Sequence, residues 1–194
     1  MSKIKTVGIV GTGVIGTGWI IRNLAHNKIV HAYDQNKNLK SYVLKEIRRT
    51  SKSIKKLFGK KILIKNLKFF NSLEKALSNV DFVQESVLEN YKVKTDLIQK
   101  ISKYVKSNVI ISSSSSGLLP SKIFSKSKNP QRGIIGHPFN PAYLLPAVEI
   151  VPGKKTTRKF LSDANKYYKS ISMRPIMLKK ELPGYLSDRL QEAL

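Results

Sequence analysis

The feature that most constrains this chain is the string Gly11-Thr12-Gly13-Val14-Ile15-Gly16. A G-x-G-x-x-G alone is weak, but this one follows a short apolar β-prone run, Ile4–Val10, and opens a helical pattern over Val14–His26. An acid, Asp34, closes the next β-prone run, Ile29–Tyr33. This is the context in which such a string cradles a dinucleotide. Gly11 permits the tight turn, Gly13 lets backbone approach a pyrophosphate, and Gly16 allows helix to pack closely on strand; the helix start offers N–H groups and a positive dipole to phosphates. The Asp34 carboxylate is expected to accept hydrogen bonds from adenosine ribose hydroxyls and to repel a 2′-phosphate. NAD is therefore expected over NADP, with Lys37 and Lys40 nearby as an opposing influence. The competing reading is a glycine-rich turn with no ligand.

Strand and helix patterns keep alternating after this point. Further strands are predicted at Leu67–Phe70, Asp81–Glu85, Val109–Ser112, Gly133–Gly136, Val148–Val151 and Arg174–Leu178. Helices are predicted at Leu39–Phe58, Ser72–Leu77, Tyr91–Val105, Pro120–Phe124 and Thr156–Ser170, the first with Leu44, Ile47, Ile54, Leu57 and Phe58 on one face. Such alternation implies an α/β, Rossmann-like doubly wound and mostly parallel sheet. Pro183-Gly184 then starts a new helical stretch, Tyr185–Leu194. The 194 residues divide as a dinucleotide-binding domain over 1–182 and the opening of a helical domain over 183–194.

Composition removes several function classes. Cysteine is absent, so disulfides, thiolate zinc sites and cysteine nucleophiles are excluded together. No metal is expected. No apolar run approaches the roughly 20 residues of a membrane span, and Met1–Gly13 lacks the form of a signal peptide, so cytoplasm is the expected compartment. Thirty-six basic against 12 acidic residues give a net charge of +24, which would suit a nucleic-acid partner. The excess is nearly all lysine, spread through every segment beside abundant isoleucine and asparagine, as A/T-rich codon usage would produce. Arginine forks and stacking aromatics, the usual tools of nucleic-acid grooves, are sparse, so no nucleic-acid partner is expected.

A dinucleotide site performs hydride transfer only with a proton acceptor beside it, and histidine suits that task. Of three histidines, His26 falls near a helix end and His31 inside a strand, both structural positions. His137 stands in Gly136-His137-Pro138-Phe139-Asn140-Pro141, where a strand is predicted to end, on the side where doubly wound sheets bind ligands. Glu149 sits in the otherwise apolar run Ala147–Val151. It either pairs with His137, orienting the imidazole and supporting the imidazolium, or points to solvent from an edge strand. Ser112–Ser116 supplies hydroxyls at another strand end, although serine-rich turns are commonly solvated.

Taken with these residues, GTGVIG at 11–16, VQESVLENYKVK at 83–94, SSSSSGLLPS at 112–121 and GHPFNPAYLLPAVEIVPGKKT at 136–156 resemble the 3-hydroxyacyl-CoA dehydrogenase superfamily over essentially the whole chain. Within it, QESV, SGLLPS, HPFNPAYLLP, PGKKT and the closing SDRLQEAL resemble the branch that oxidises L-carnitine. The resemblance implies His137 as catalytic base with Glu149 as its partner, and Ser116 in contact with substrate and nicotinamide. It puts Glu89, Lys94 and Asn140 at the nicotinamide end of the cofactor. It sets Asp188 where the acyl-CoA enzymes carry an active-site asparagine, a departure that agrees with the carnitine branch.

The implied reaction is NAD-dependent oxidation of the 3-hydroxyl of L-carnitine to 3-dehydrocarnitine. Phe139 and Tyr143 are expected to meet the trimethylammonium group, or else to belong to the core. Two alternatives stand beside it: a 3-hydroxyacyl-CoA dehydrogenase, with basic residues of Lys45–Lys68 on the CoA phosphates in place of a solvated face, and a non-catalytic NAD-binding fragment. The resemblance also implies a helical domain beyond this chain that closes the pocket, with a homodimer expected only when that domain is present.

Overall fold

In a computed structural model the described residues are 4–59 and 61–194. Met1–Lys3, the first part of the Met1–Gly13 reading, and Lys60, within the basic Lys45–Lys68 stretch, lie outside them.

The chain runs β1 (Thr6–Val10), α1 (Val14–Ala25), β2 (Ile29–Tyr33), α2 (Leu39–Phe58), β3 (Leu67–Phe70), α3 (Leu73–Leu77), β4 (Phe82–Glu85), α4 (Tyr91–Tyr104), β5 (Ile110–Ser113) and α5 (Pro120–Ile123). It continues through β6 (Gly133–Pro138), β7 (Ala147–Pro152), α6 (Arg158–Ser170), β8 (Arg174–Met177) and α7 (Ser187–Glu192). All eight strands form one sheet in the order β3-β2-β1-β4-β5-β6-β7-β8. Neighbours pair in parallel except β6 with β7, which are antiparallel. The first six strands follow the doubly wound order, with its reversal between β1 and β4, and ligands bind in the crevice outside the carboxyl ends at that point.

Strand alternation sends side chains to two cores. On one face Val7, Ile9, Phe82 and Ile134 pack with Trp19 of α1, Ile47 of α2 and Tyr168 of α6. On the other, Val10, Val83, Ile111 and Ile135 pack with Leu77 of α3, Ile98 of α4 and Ile123 of α5. These strands are buried on both faces, which is why they read as continuous apolar runs. In α2 the expected face holds at Ile47 and Ile54, which are fully buried, and at Phe58, which packs on the first core; Val43 and Thr50 are buried beside them, Leu44 is half-buried and Leu57 is 51% exposed. A buried stripe recurring every three to four residues selects Val43 and Thr50 in place of Leu44 and Leu57. The last helix is shorter than its apolar pattern, because residues 183–186 form a turn that docks Tyr185, fully buried, into the second core.

One polar clamp shapes the loop between β6 and β7. The buried Arg22 guanidinium of α1 donates to the carbonyls of Ala142 (3.0 Å) and Leu145 (2.8 Å), and stands 5.1 Å from the Phe58 ring centre. Burial pushes its pKa down to about 10. The loop is thus drawn onto α1, with Ala142 against Gly18. No described helix is long and apolar enough to cross a membrane.

Candidate active site

The glycine turn has the backbone that its sequence requires. Gly11 adopts φ +87°, and a Cβ there would come within 2.7 Å of the Ser86 carbonyl group. A Cβ on Gly16 would overlap the Gly11 carbonyl oxygen, so α1 can lie on β1 only with glycine at that position. Gly13 is different: nothing lies within 4 Å of where its Cβ would be, and it starts α1 with no side chain capping the helix. An open concavity over uncapped backbone amides fits a diphosphate.

Asp34 braces this turn. Its Oδ2 accepts from the Thr12 amide (2.6 Å) and hydroxyl (3.2 Å), and its Oδ1 accepts from the Asn36 amide (2.9 Å). A carboxylate has about four acceptor positions, so one remains for a ribose hydroxyl. A cavity of about 650 Å³ has Gly13, Asp34 and Ser86 in its wall. A second, of about 670 Å³, shares Ser86 and Val87 with it and extends past Ile15 and Ser114 to His137. Together they make a trough along the carboxyl ends of β1, β4, β5 and β6.

His137 lies one residue inside the end of β6, not beyond it, and Glu149 is directly opposite on β7. Opposed residues of an antiparallel pair share a face. The spacing of twelve residues is therefore the length of one hairpin. His137 Nδ1 donates to Glu149 Oε2 over 2.8 Å, since an ionised carboxylate can only accept. Glu149 also accepts from the amides of Leu186 (2.9 Å) and Ser187 (3.1 Å) and from the Ser187 hydroxyl (2.7 Å). Burial pushes the carboxyl up, but the hydrogen bonds from His137, Ser187 and Leu186 outweigh it and hold it below the usual carboxylate range. Solvent does not reach it: Glu149 is 1% exposed and β8 covers the side of β7 that would otherwise be an edge. The Nδ1 hydrogen bond fixes the tautomer that leaves Nε2 as the acceptor at the cavity wall.

Across the cavity, Lys94 of α4 is 1% exposed and donates to both oxygens of Glu85 (2.8 and 3.1 Å) and to the Val87 carbonyl (3.1 Å). Glu85 Oε2 accepts from the Ser113 hydroxyl at 2.5 Å. Glu89 accepts from the Ser115 hydroxyl and from the amides of Ser116 (2.9 Å) and Gly117 (3.2 Å), and its other oxygen is 3.5 Å from Lys94. Burial raises the Glu89 carboxyl, but Ser115, the Lys94 charge and the two amides bring it below its ordinary value. The Ser112–Ser116 segment is thus no solvated turn: Ser112, Ser113 and Ser115 are buried and Ser116 lines the cavity.

Phe139, Asn140 and Asp188 also line this cavity, with the Phe139 ring centre 6.2 Å from that of His137. Tyr143 does not join them. The Arg22 clamp turns it towards α2, where it packs on the first core with its hydroxyl 3.5 Å from Arg49, so the expected aromatic pair around a trimethylammonium is not formed. The other two histidines are structural: His26 bonds the Arg22 carbonyl and Ser172, and His31 the Ala76 carbonyl. Among the described residues no cluster of three or more His, Cys, Asp or Glu could hold a metal.

Residues 6–182 match the family model described as 3-hydroxyacyl-CoA dehydrogenase, NAD binding domain. The chain belongs to this family. Its cofactor is NAD and its fold is the Rossmann-like, mostly parallel sheet of that domain. The L-carnitine dehydrogenase of Oceanobacillus iheyensis is 41% identical over 192 residues, covering 98% of this chain and 62% of that protein. The L-carnitine dehydrogenase of Pseudomonas putida is 42% identical over 195 residues, covering 100% and 61%. This chain therefore spans about three fifths of the length of the curated relatives it matches. Among solved structures, a 5-formyl-3-hydroxy-2-methylpyridine 4-carboxylic acid 5-dehydrogenase, an NAD+ dependent dismutase, superposes with a TM-score of 0.90 at 25% identity, covering 98% of this chain and 62% of that one.

Several residues of this family member's site escaped the sequence reading. Glu85 was visible only as part of the QESV string, and nothing local marks it as the buried partner of Lys94. Ser187 and Tyr185, whose ring centre is 5.8 Å from that of His137, reach the His137–Glu149 pair from more than 30 residues beyond β7. Only the Pro-Gly turn before them signalled a change of direction.

Proposed function

We propose that this chain carries the dinucleotide and acid–base half of an NAD-dependent dehydrogenase that oxidises the 3-hydroxyl of L-carnitine to 3-dehydrocarnitine. The observation that supports it most is the His137–Glu149 pair at the end of a trough that begins at an open glycine cradle. NAD, when bound, supplies the acceptor for the hydride that leaves C3. Gly11, Gly13 and Gly16, with Thr12, Val14 and Ile15, form the phosphate turn, and Asp34 takes the adenosine ribose. His137 Nε2 accepts the hydroxyl proton as the carbonyl forms. Glu149 stabilises the resulting imidazolium and keeps the ring oriented. Ser116 holds the substrate oxygen, while Glu89, Lys94 and Asn140 shape the nicotinamide end.

The quaternary ammonium of carnitine favours an aromatic face and nearby negative charge, which Phe139 and Asp188 supply on the cavity wall. In this reading residues 1–182 form the nucleotide-binding domain and 183–194 open a helical one. The small-molecule substrate is met in the cytoplasm by a homodimer when that helical domain is present.

The test is to supply L-carnitine or a 3-hydroxyacyl-CoA with NAD and follow nicotinamide absorbance, with the portion of a relative that this chain does not span added in trans. Reduction with L-carnitine alone is expected. Reduction with the thioester alone would replace the substrate assignment. NAD binding without turnover on either would reduce the chain to a nucleotide-binding unit.

A further inference from the structure

A hydrogen-bonded chain of buried polar groups runs under the trough, and none of it belongs to the acid–base pair. Ser112 Oγ and Tyr168 Oη are 2.8 Å apart; Tyr168 Oη donates to Gln84 Oε1 over 2.7 Å; and Gln84 Nε2 donates to Ser114 Oγ over 2.8 Å. Trp19 Nε1 donates to the same Ser114 oxygen over 3.1 Å, and Ser114 Oγ is 2.8 Å from Ser86 Oγ. Glycine at 136 makes room for this chain, since a Cβ there would overlap the Tyr168 hydroxyl.

The direction of each proton can be worked out. Gln84 Nε2 also faces the Gly136 carbonyl at 3.4 Å, an acceptor only, so the amide nitrogen must lie on that side and its oxygen towards Tyr168. Ser114 Oγ then receives two N–H donors, from Gln84 and Trp19, which fill both of its lone pairs. Its own O–H can only donate, and Ser86 Oγ stands in place to accept it. Accepting from Ser114 leaves Ser86 to donate its own proton elsewhere. Ser86 is half-buried and belongs to the wall of both cavities, at the point where the adenosine side of the trough passes into the His137 side. A polarised chain of this kind strengthens the bond at its open end.

We infer that the Ser86 hydroxyl is a fixed hydrogen-bond donor to an uncharged acceptor oxygen on the nicotinamide half of the bound dinucleotide, with Ser114, Gln84, Trp19 and Tyr168 as positioning residues. This rests on the dinucleotide-binding reading of the trough. Two oxygens share the required chemistry, the carboxamide oxygen of the nicotinamide and a hydroxyl oxygen of its ribose. A pyrophosphate is served by the glycine turn instead.

The 194-residue chain and its Ser86→Ala and Ser86→Thr variants are titrated with NAD and with ADP-ribose, which lacks only the nicotinamide, using fluorescence of the single tryptophan, Trp19, and calorimetry. Loss of one neutral hydrogen bond is expected to weaken Ser86→Ala binding by roughly three- to tenfold, with Ser86→Thr closer to the parent. A defect for NAD but not ADP-ribose supports the carboxamide oxygen; an equal defect for both supports a ribose oxygen. Unchanged affinity of Ser86→Ala for both ligands, or a defect equally present in Ser86→Thr, overturns the inference. If the parent chain itself binds neither ligand, it is the dinucleotide reading that fails.

Discussion

Two buried carboxylates lie behind residues of the cavity wall, Glu85 behind Lys94 and Glu149 behind His137, and the two pairs differ. Glu85 ends β4 and Glu149 lies in β7; each is 1% exposed or less and accepts several hydrogen bonds. The cation on Glu85 is Lys94, as buried as its partner, with its donors spent on Glu85 and Val87. The partner of Glu149 is His137, 15% exposed at its side chain, with one ring nitrogen bound and the other left for the cavity. The first arrangement ties three elements, β4, β5 and α4, together through buried hydrogen bonds. The second leaves one imidazole nitrogen open to the cavity while the carboxylate beneath it stays fixed, as the proposed acid–base role requires. Burial alone therefore does not distinguish the two carboxylates; the exposure and open nitrogen of the partner do.

Breaking the scaffold pair produces the largest effect. Lys94→Met leaves Glu85 buried without its cation and is expected to cost about 3–5 kcal/mol in denaturant unfolding; a loss below about 1 kcal/mol would remove the distinction. His137→Gln reverses the pattern. Its unfolding midpoint stays near that of the parent, while turnover with L-carnitine falls by roughly a hundred- to ten-thousand-fold.

Glu149→Gln sharpens the comparison, since the amide keeps the volume but turns a donor towards His137, Leu186 or Ser187. Turnover is expected to drop at least about a hundredfold. It also carries a pH signature. The Glu149 carboxyl is held below 4.5, so its stabilising contribution is complete above that value and is lost only as pH falls through the lower folded-state pKa. Thermal melts should show a gap between parent and variant that does not narrow from neutrality down to about 4.5 and shrinks beneath it. A gap that narrows already above that value would contradict the depressed carboxyl. The smallest effect belongs to Ser187→Ala, which removes one of several donors to Glu149. It should slow turnover about three- to tenfold and leave NAD affinity unchanged by titration.

The fold was legible because its signals are local. Apolar runs bounded by glycine and proline mark every strand within two residues, and the glycine string marks the tight turn between β1 and α1. Pairing of His137 with Glu149 could be named from sequence as one of two alternatives, and their opposition on one hairpin decides it. Tyr143 could not be placed, since its direction depends on Arg22 seizing carbonyls about 120 residues further along the chain. Leu57 and Leu44 misled for a related reason: a lysine-rich helix carries more apolar residues than its narrow contact stripe can cover. Ser187 and the Gln84–Ser114–Ser86 chain were invisible because hydrogen-bond direction is set by neighbours from four separate elements.

The docking of residues 186 and 187 on Glu149 has a mechanical corollary. The His137 imidazole is held by a carboxylate whose other supports come from the threshold of α7, so that short helix and the imidazole share one anchor. Anything that lifts α7 from the sheet would strip two amides and a hydroxyl from Glu149 at one stroke, loosening the support of His137 without touching it.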